Sequence, residues 1–138
     1  MKANKIFLGG TCNETTWRDE LISLIQVDYF NPVVDDWTEE CITIEDAEKA
    51  TFCNVHLYVI TADMLGVYSI AEAVQSSLTK GITTILHVMP DGFGKEQLKS
   101  LDATCGLVRN NGGIAYIDDE LSRTARVINF GFKTTDFS

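Results

Sequence analysis

VHLYVI at residues 55–60, followed by TADMLG at 61–66 and VYSIAEAVQSSLTK at 67–80, is the stretch that decides the fold. A six-residue apolar run that ends at Thr61 and Ala62 has the length of a strand buried on both faces. The segment after it changes period. Val67, Ile70, Ala71, Val74 and Leu78 recur at helical spacing, so residues 68–80 read as a helix, with Gly81 as its C-cap. One apolar strand, one short loop and one amphipathic helix make half of a parallel crossover unit.

The same unit repeats outward in both directions. Upstream, residues 5–9 (KIFLG) read as a first strand and residues 16–26 as a helix carrying Trp17, Leu21, Leu24 and Ile25. Thr15 or Thr16 is the expected cap, with Asp19 and Glu20 near the positive end of the helix dipole. Residues 29–34 (YFNPVV) read as a second strand interrupted by Pro32, and residues 43–51 as a weaker helix opening on Thr43, Glu45 and Asp46. Downstream, residues 83–88 (TTILHV) are a strand. Leu98, Leu101, Cys105 and Val108 mark a helix, residues 114–117 a last strand and residues 118–129 a last helix. Strand and helix alternate five times, which predicts an α/β fold, a parallel sheet covered by helices on both faces. Five such units fit the flavodoxin-like strand order 2-1-3-4-5.

Size and composition agree with one globular domain over residues 1–138. The chain is 45% hydrophobic and 22% charged. Its net charge of −9 argues against a nucleic-acid polymer as partner, because a phosphate backbone needs a basic footprint; a small nucleoside or nucleotide is not excluded. No apolar run approaches a membrane span, and MKANKIFLGG reads as a strand rather than a signal peptide, so the expected location is cytoplasmic. Cys12, Cys41, Cys53 and Cys105 form no CxxC pair and no Cys/His ligand cluster, so free thiols and no metal are expected.

In an open sheet of this order, ligands bind beyond the carboxyl ends of the strands, between the first and third. Gly9, Gly10 and Thr11 on one side and residues 61–69 on the other frame that crevice. Glycines there let a backbone approach a ligand closely, although a plain strand-to-helix turn would also use them. Glu72 lies in the first turns of the helix after the third strand, about 100° or more from the centre of the apolar stripe. Its plain reading is a helix-start glutamate in solvent. Its functional reading is a nucleophilic carboxylate, kept ionised by the helix dipole, that attacks an anomeric carbon while a base leaves. Asp35 and Asp36, in the loop after the second strand, are either a solvated turn or groups that bind sugar hydroxyls or assist proton transfer. Trp37 and Tyr68 are placed to stack on a base or to be buried. Ser69 caps a helix or touches a phosphate. His56 and His87, inside strands, read as satisfied core histidines. No GxGxxG fingerprint and no phosphate-binding GxxxxGK[ST] loop is present.

The segments KIFLGGTCNETTWRDELI, DYFNPVVDDW and CNVHLYVITADMLGVYSIAEAV, in that order, resemble the nucleoside 2-deoxyribosyltransferase-like proteins. The resemblance spans Lys5 to about Met89, and its core is the stretch from Tyr58 to Val74. It implies the flavodoxin-like fold, transfer of 2-deoxyribose between nucleobases or hydrolysis of deoxynucleosides or their monophosphates, and a glycosyl-enzyme on the glutamate at Glu72. It also implies no cofactor, a nucleoside or nucleotide and a free nucleobase as partners, and a homo-oligomer. The glycine loop would lie against the sugar or its 5′ end, and Asp35 and Asp36 near base or sugar. One departure is Asn54, where many relatives carry an aspartate. An amide cannot act as an acid, which shifts the expected proton transfer to Asp35, Asp36 or Asp63. A non-catalytic nucleoside-binding module is the competing expectation, with Asn54 as its support. An FMN carrier shares the fold, but the loop after the first strand lacks the usual Ser/Thr-Gly phosphate pattern. A phosphorylated receiver needs an aspartate and a lysine where Ile60-Thr61 and Asp118 stand.

Overall fold

A computed structural model describes residues 3–12, 15–34 and 38–131 of the chain. Its elements are β1 (Lys5–Gly10), α1 (Trp17–Ile22), β2 (Asp28–Phe30), α2 (Glu39–Ala47), β3 (Val55–Ile60), α3 (Tyr68–Ser77), β4 (Thr83–Val88), α4 (Lys95–Asn110), β5 (Ile114–Ile117) and α5 (Leu121–Phe130). A π-helical turn, Glu48–Phe52, follows α2 without a break. The five strands form one parallel sheet in the order β2-β1-β3-β4-β5. The α/β, flavodoxin-like arrangement expected from the alternation is therefore the one the chain adopts. Among the described residues no helix is long and apolar enough to cross a membrane.

The pleat of β3 sorts its side chains into two cores. Val55, Leu57 and Val59 point to the face covered by Trp17 and Leu21 of α1 and by Leu121, Ala125 and Ile128 of α5. Tyr58 and Ile60 point to the other face, under Ala73 of α3 and Leu101, Cys105 and Val108 of α4. All six residues of β3 are buried, as a central strand covered twice requires.

Several boundaries differ from the sequence reading, each for a physical reason. β2 stops at Phe30, because Pro32 has no N–H to give to the ladder; residues 31–34 run on as irregular chain, with Asn31 Oδ1 accepting from the Val33 N–H at 3.0 Å. α1 ends at Ile22, not 26, and α5 begins at Leu121, not 118. Thr16 precedes α1 but makes no side-chain cap, and the Thr15 hydroxyl donates to the Thr11 carbonyl instead. α2 begins at Glu39 after an extended Thr38, four residues before the expected start at Thr43. None of its residues is buried, so no apolar period advertises it.

The correction that matters most concerns α3. Of the apolar stripe expected there, Ile70 and Val74 pack against the second core but Val67 and Leu78 are exposed, and the buried residues are Ala73 and Ser76. A polar Ser76 on the inner face hides the true phase of the helix from a hydrophobicity pattern. Glu72 is one turn before Ser76, about 40° away at 100° per residue, so it borders the buried face rather than opposing it. The helix closes at Ser77 with Leu78 as C-cap. Gly81, at φ +86°, belongs to the turn beyond it.

Candidate functional site

The crevice at the carboxyl ends of β1 and β3 is set by two glycines. A Cβ on Gly9 would lie 2.7 Å from the Tyr58 ring, and one on Gly10, where φ is +112°, would lie 2.2 Å from the Val59 carbonyl oxygen. Only glycine lets β1 run this close to β3 before it turns away. The turn is then pinned by Arg18, reaching back from α1. Its guanidinium donates from Nε to the Leu8 carbonyl at 3.0 Å and from its terminal nitrogens to the carbonyls of Thr11 at 2.8 Å and Gly10 at 3.3 Å. Arg18 is 6% exposed and forms no ion pair among the described residues. Burial pulls its pKa below the usual value, and the neighbouring Cys12 opposes that shift. A guanidinium remains protonated regardless. The Thr11 hydroxyl accepts the Thr61 N–H at 3.0 Å, joining the two loops across the switch point.

These elements enclose a cavity of about 270 Å³ whose lining includes Gly9, Gly10, Arg18, Glu45, Ser69 and Glu72. An adjoining hollow of about 160 Å³, lined by Thr11 and Tyr68, shares Gly10, Cys12 and Ser69 with it. The larger cavity is close to the low end of small-ligand sites, roughly 300–1,000 Å³. One of its walls is apolar, from Phe7, Pro32, Val33 and Val34.

Glu72 stands at its edge with a side chain 17% exposed, and its Oε2 accepts a hydrogen bond from Lys49 Nζ at 2.6 Å. The lysine comes from the π-helical turn and also lies over the Phe7 ring, 5.4 Å from its centroid. Behind it the backbone is anchored. The Lys49 carbonyl meets His56 Nε2 at 2.9 Å, His56 Nδ1 meets the Ser76 hydroxyl at 2.9 Å, and Ser76 meets Thr84 at 2.7 Å. A carbonyl can only accept, so Nε2 carries the hydrogen and Nδ1 accepts from Ser76. Burial lowers the His56 pKa, the hydrogen bond to the Lys49 carbonyl opposes this, and the Lys49 charge adds to it. The imidazole is accordingly neutral and structural.

A second cavity of about 310 Å³ lies on the far side of Glu72, where Lys49, His56, Tyr58 and Ser76 line it. The Tyr58 hydroxyl is buried without a hydrogen-bond partner among the described residues, the nearby Ser76 being engaged with His56 and Thr84. Burial, reinforced by the Glu72 charge, pushes its pKa up.

The site residues expected from sequence thus separate. Glu72, Gly9, Gly10 and Ser69 share the crevice cavity, and Thr11 and Tyr68 line its annex; Tyr68 is 76% exposed. Asp63 lines a different hollow with Thr15, Asp91 and Asp119. Asn54 is at the opposite end of β3, six residues and about 20 Å from the switch point. Its Oδ1 accepts the Asn4 N–H at 2.8 Å and the Lys5 N–H at 3.3 Å, which fixes the start of β1. Asn54 is not among the residues that line the crevice. Asp35, Asp36 and Trp37 lie outside the described residues. Sequence reading missed Arg18, Glu45 and Lys49. The spacing of Glu45 and Lys49, one helical turn apart, was the available clue. Among the described residues no group of three or more His, Cys, Asp or Glu side chains is placed to hold a metal ion.

A family model described as nucleoside 2-deoxyribosyltransferase like matches residues 3–87, which include β1 to β3, α3, both glycines and Glu72. Searches of curated proteins and of solved structures give no match.

Proposed function

Since the chain belongs to the nucleoside 2-deoxyribosyltransferase like family, we propose that it cleaves the N-glycosidic bond of a 2′-deoxynucleoside or its 5′-monophosphate and passes the sugar to a second base or to water. The reading is carried by one observation: the Glu72 carboxylate lines the same cavity as the switch-point glycines Gly9 and Gly10. In this reading the sugar rests against the glycine backbone with its C1′ toward that carboxylate. Lys49 holds Oε2, and the described residues give Oε1 no hydrogen bond, so one oxygen is positioned and the other available. Attack of Oε1 on C1′ yields a glycosyl ester as the base departs, and return of a base or water regenerates the carboxylate. Ser69, Thr11 and Tyr68 are the polar and aromatic groups available to sugar, phosphate or base. A cytoplasmic homo-oligomer built from a single domain completes the reading.

The test is incubation with the four deoxynucleosides and their monophosphates, with and without a free base, followed by chromatography. Glu72→Ala should abolish product while the circular dichroism spectrum stays that of the wild type. Undiminished turnover in that variant rejects the mechanism. The ion pair supports a second reading, a nucleoside-binding module without chemistry, because an ammonium ion at 2.6 Å also damps a nucleophile. Calorimetric binding with no base released over hours would favour it.

A further inference from the structure

A retaining cleavage needs a second group beside the nucleophile, one that protonates the departing base. Glu45 and Glu72 are the two carboxylates that the described residues contribute to the crevice cavity, one from α2 and the other from α3. We propose that Glu45 is the general acid and base of this site, an inference that rests on Glu72 being the nucleophile.

The surroundings of the two carboxylates differ as their tasks would require. Glu72 has a lysine at 2.6 Å. Glu45 forms no ion pair among the described residues; burial pushes its pKa up, the Glu72 charge adds to this, Lys49 opposes it and Asp46 adds a little. One carboxylate is paired with a cation and the other is not, an asymmetry of the kind by which paired carboxylates divide acid and nucleophile work. The helix sets this up through a single spacing. Glu45 and Lys49 are four residues apart, so α2 and the turn that continues it present a proton donor and a cation to the same neighbour. Other titratable groups in the cavity are unsuited. Arg18 does not release its proton, and the Cys12 thiol is turned to the Gly10 carbonyl at 3.4 Å.

The step balances. The Glu72 Oε1 lone pair forms the bond to C1′, the C1′–N bond breaks with its electrons going to the base, and the Glu45 proton moves to that base. This leaves a neutral base, a glycosyl ester and a Glu45 carboxylate. In the second half the carboxylate takes a proton from the incoming base N–H or water O–H as it attacks C1′, and Glu72 leaves as the anion.

The discriminating experiment compares two leaving groups. Glu45→Gln keeps size and hydrogen bonding but cannot donate as an acid. On a deoxynucleoside it should lose about 10²–10⁴-fold in kcat. On 4-nitrophenyl 2-deoxyriboside, whose leaving group departs as a stable anion, the loss should stay within a few-fold. Asp35→Asn and Asp36→Asn, assayed in parallel, should lose activity on both substrates alike or not at all. Equal losses for Glu45→Gln on the two substrates, or the selective pattern appearing in an aspartate variant instead, overturns the assignment of Glu45 alone. Wild-type protein inert on both substrates overturns the Glu72 reading, and this proposal with it.

Discussion

Two buried histidines on opposite faces of the sheet make a natural comparison. His56 in β3 and His87 in β4 are each tied by Nδ1 to a hydroxyl, Ser76 or Thr124, and by Nε2 to a backbone carbonyl, Lys49 or Asp118. Both lie within strands, and burial lowers both pKa values. What differs is the owner of the carbonyl. On the α5 face it belongs to Asp118, in the loop after β5, and the Thr124 hydroxyl is shared with Tyr116 in a closed core network. On the α3 face it belongs to Lys49, whose ammonium holds Glu72. The same packing solution closes a core network on one side and, on the other, sits behind the lysine that pairs with Glu72.

Replacing each histidine by alanine is the strongest way to break the comparison. Each variant leaves a buried hydroxyl and carbonyl short of a partner, and each should lose about 2–3 kcal/mol in urea unfolding. Only His56→Ala should also lower kcat, by about 10- to 100-fold, through a misplaced Lys49 and Glu72. Equal kcat in the two variants at matched stability would remove the link between His56 and the site.

Acidification gives a smaller effect that sharpens the same contrast. Each imidazole is neutral in the folded protein and has a pKa below that in the unfolded chain, so the unfolded state binds more protons in between. The stability gained from the neutral rings is complete above the ordinary histidine value, about 6.5, and is lost as pH falls from there toward the depressed folded values. The urea midpoint should therefore drop between pH 7.5 and pH 5.5, with part of the slope missing in each alanine variant. A midpoint that does not move would argue that neither ring is held neutral.

The sheet was legible in the sequence because its strands are short apolar runs at regular intervals, and β3, β4 and β5 fall on the predicted residues. The placing of Glu72 beside the crevice could be anticipated from the loop-helix order after β3, but the phase assigned to α3 included Val67 and Leu78, which are exposed, and missed the buried Ser76. Hydrophobicity cannot announce a serine whose burial depends on partners in other elements, here His56 and Thr84. The site contributions of α2 were hidden for the opposite reason. Its exposed Ile42 and Ile44 have no core to mark a face, so Glu45 read as a capping residue. The placing of Asn54 was legible as well, since it precedes β3 and the crevice lies beyond the carboxyl end of that strand.

The π-helical turn has one more consequence. Neither α2 nor this turn buries a residue, yet the turn supplies the cation at Glu72 and the carbonyl that orients His56. Segments with so little apolar burial open at lower free energy than a sheet packed on both sides. On warming, then, the protein should fall silent before it melts: activity is expected to fade several degrees below the calorimetric transition and to return on cooling.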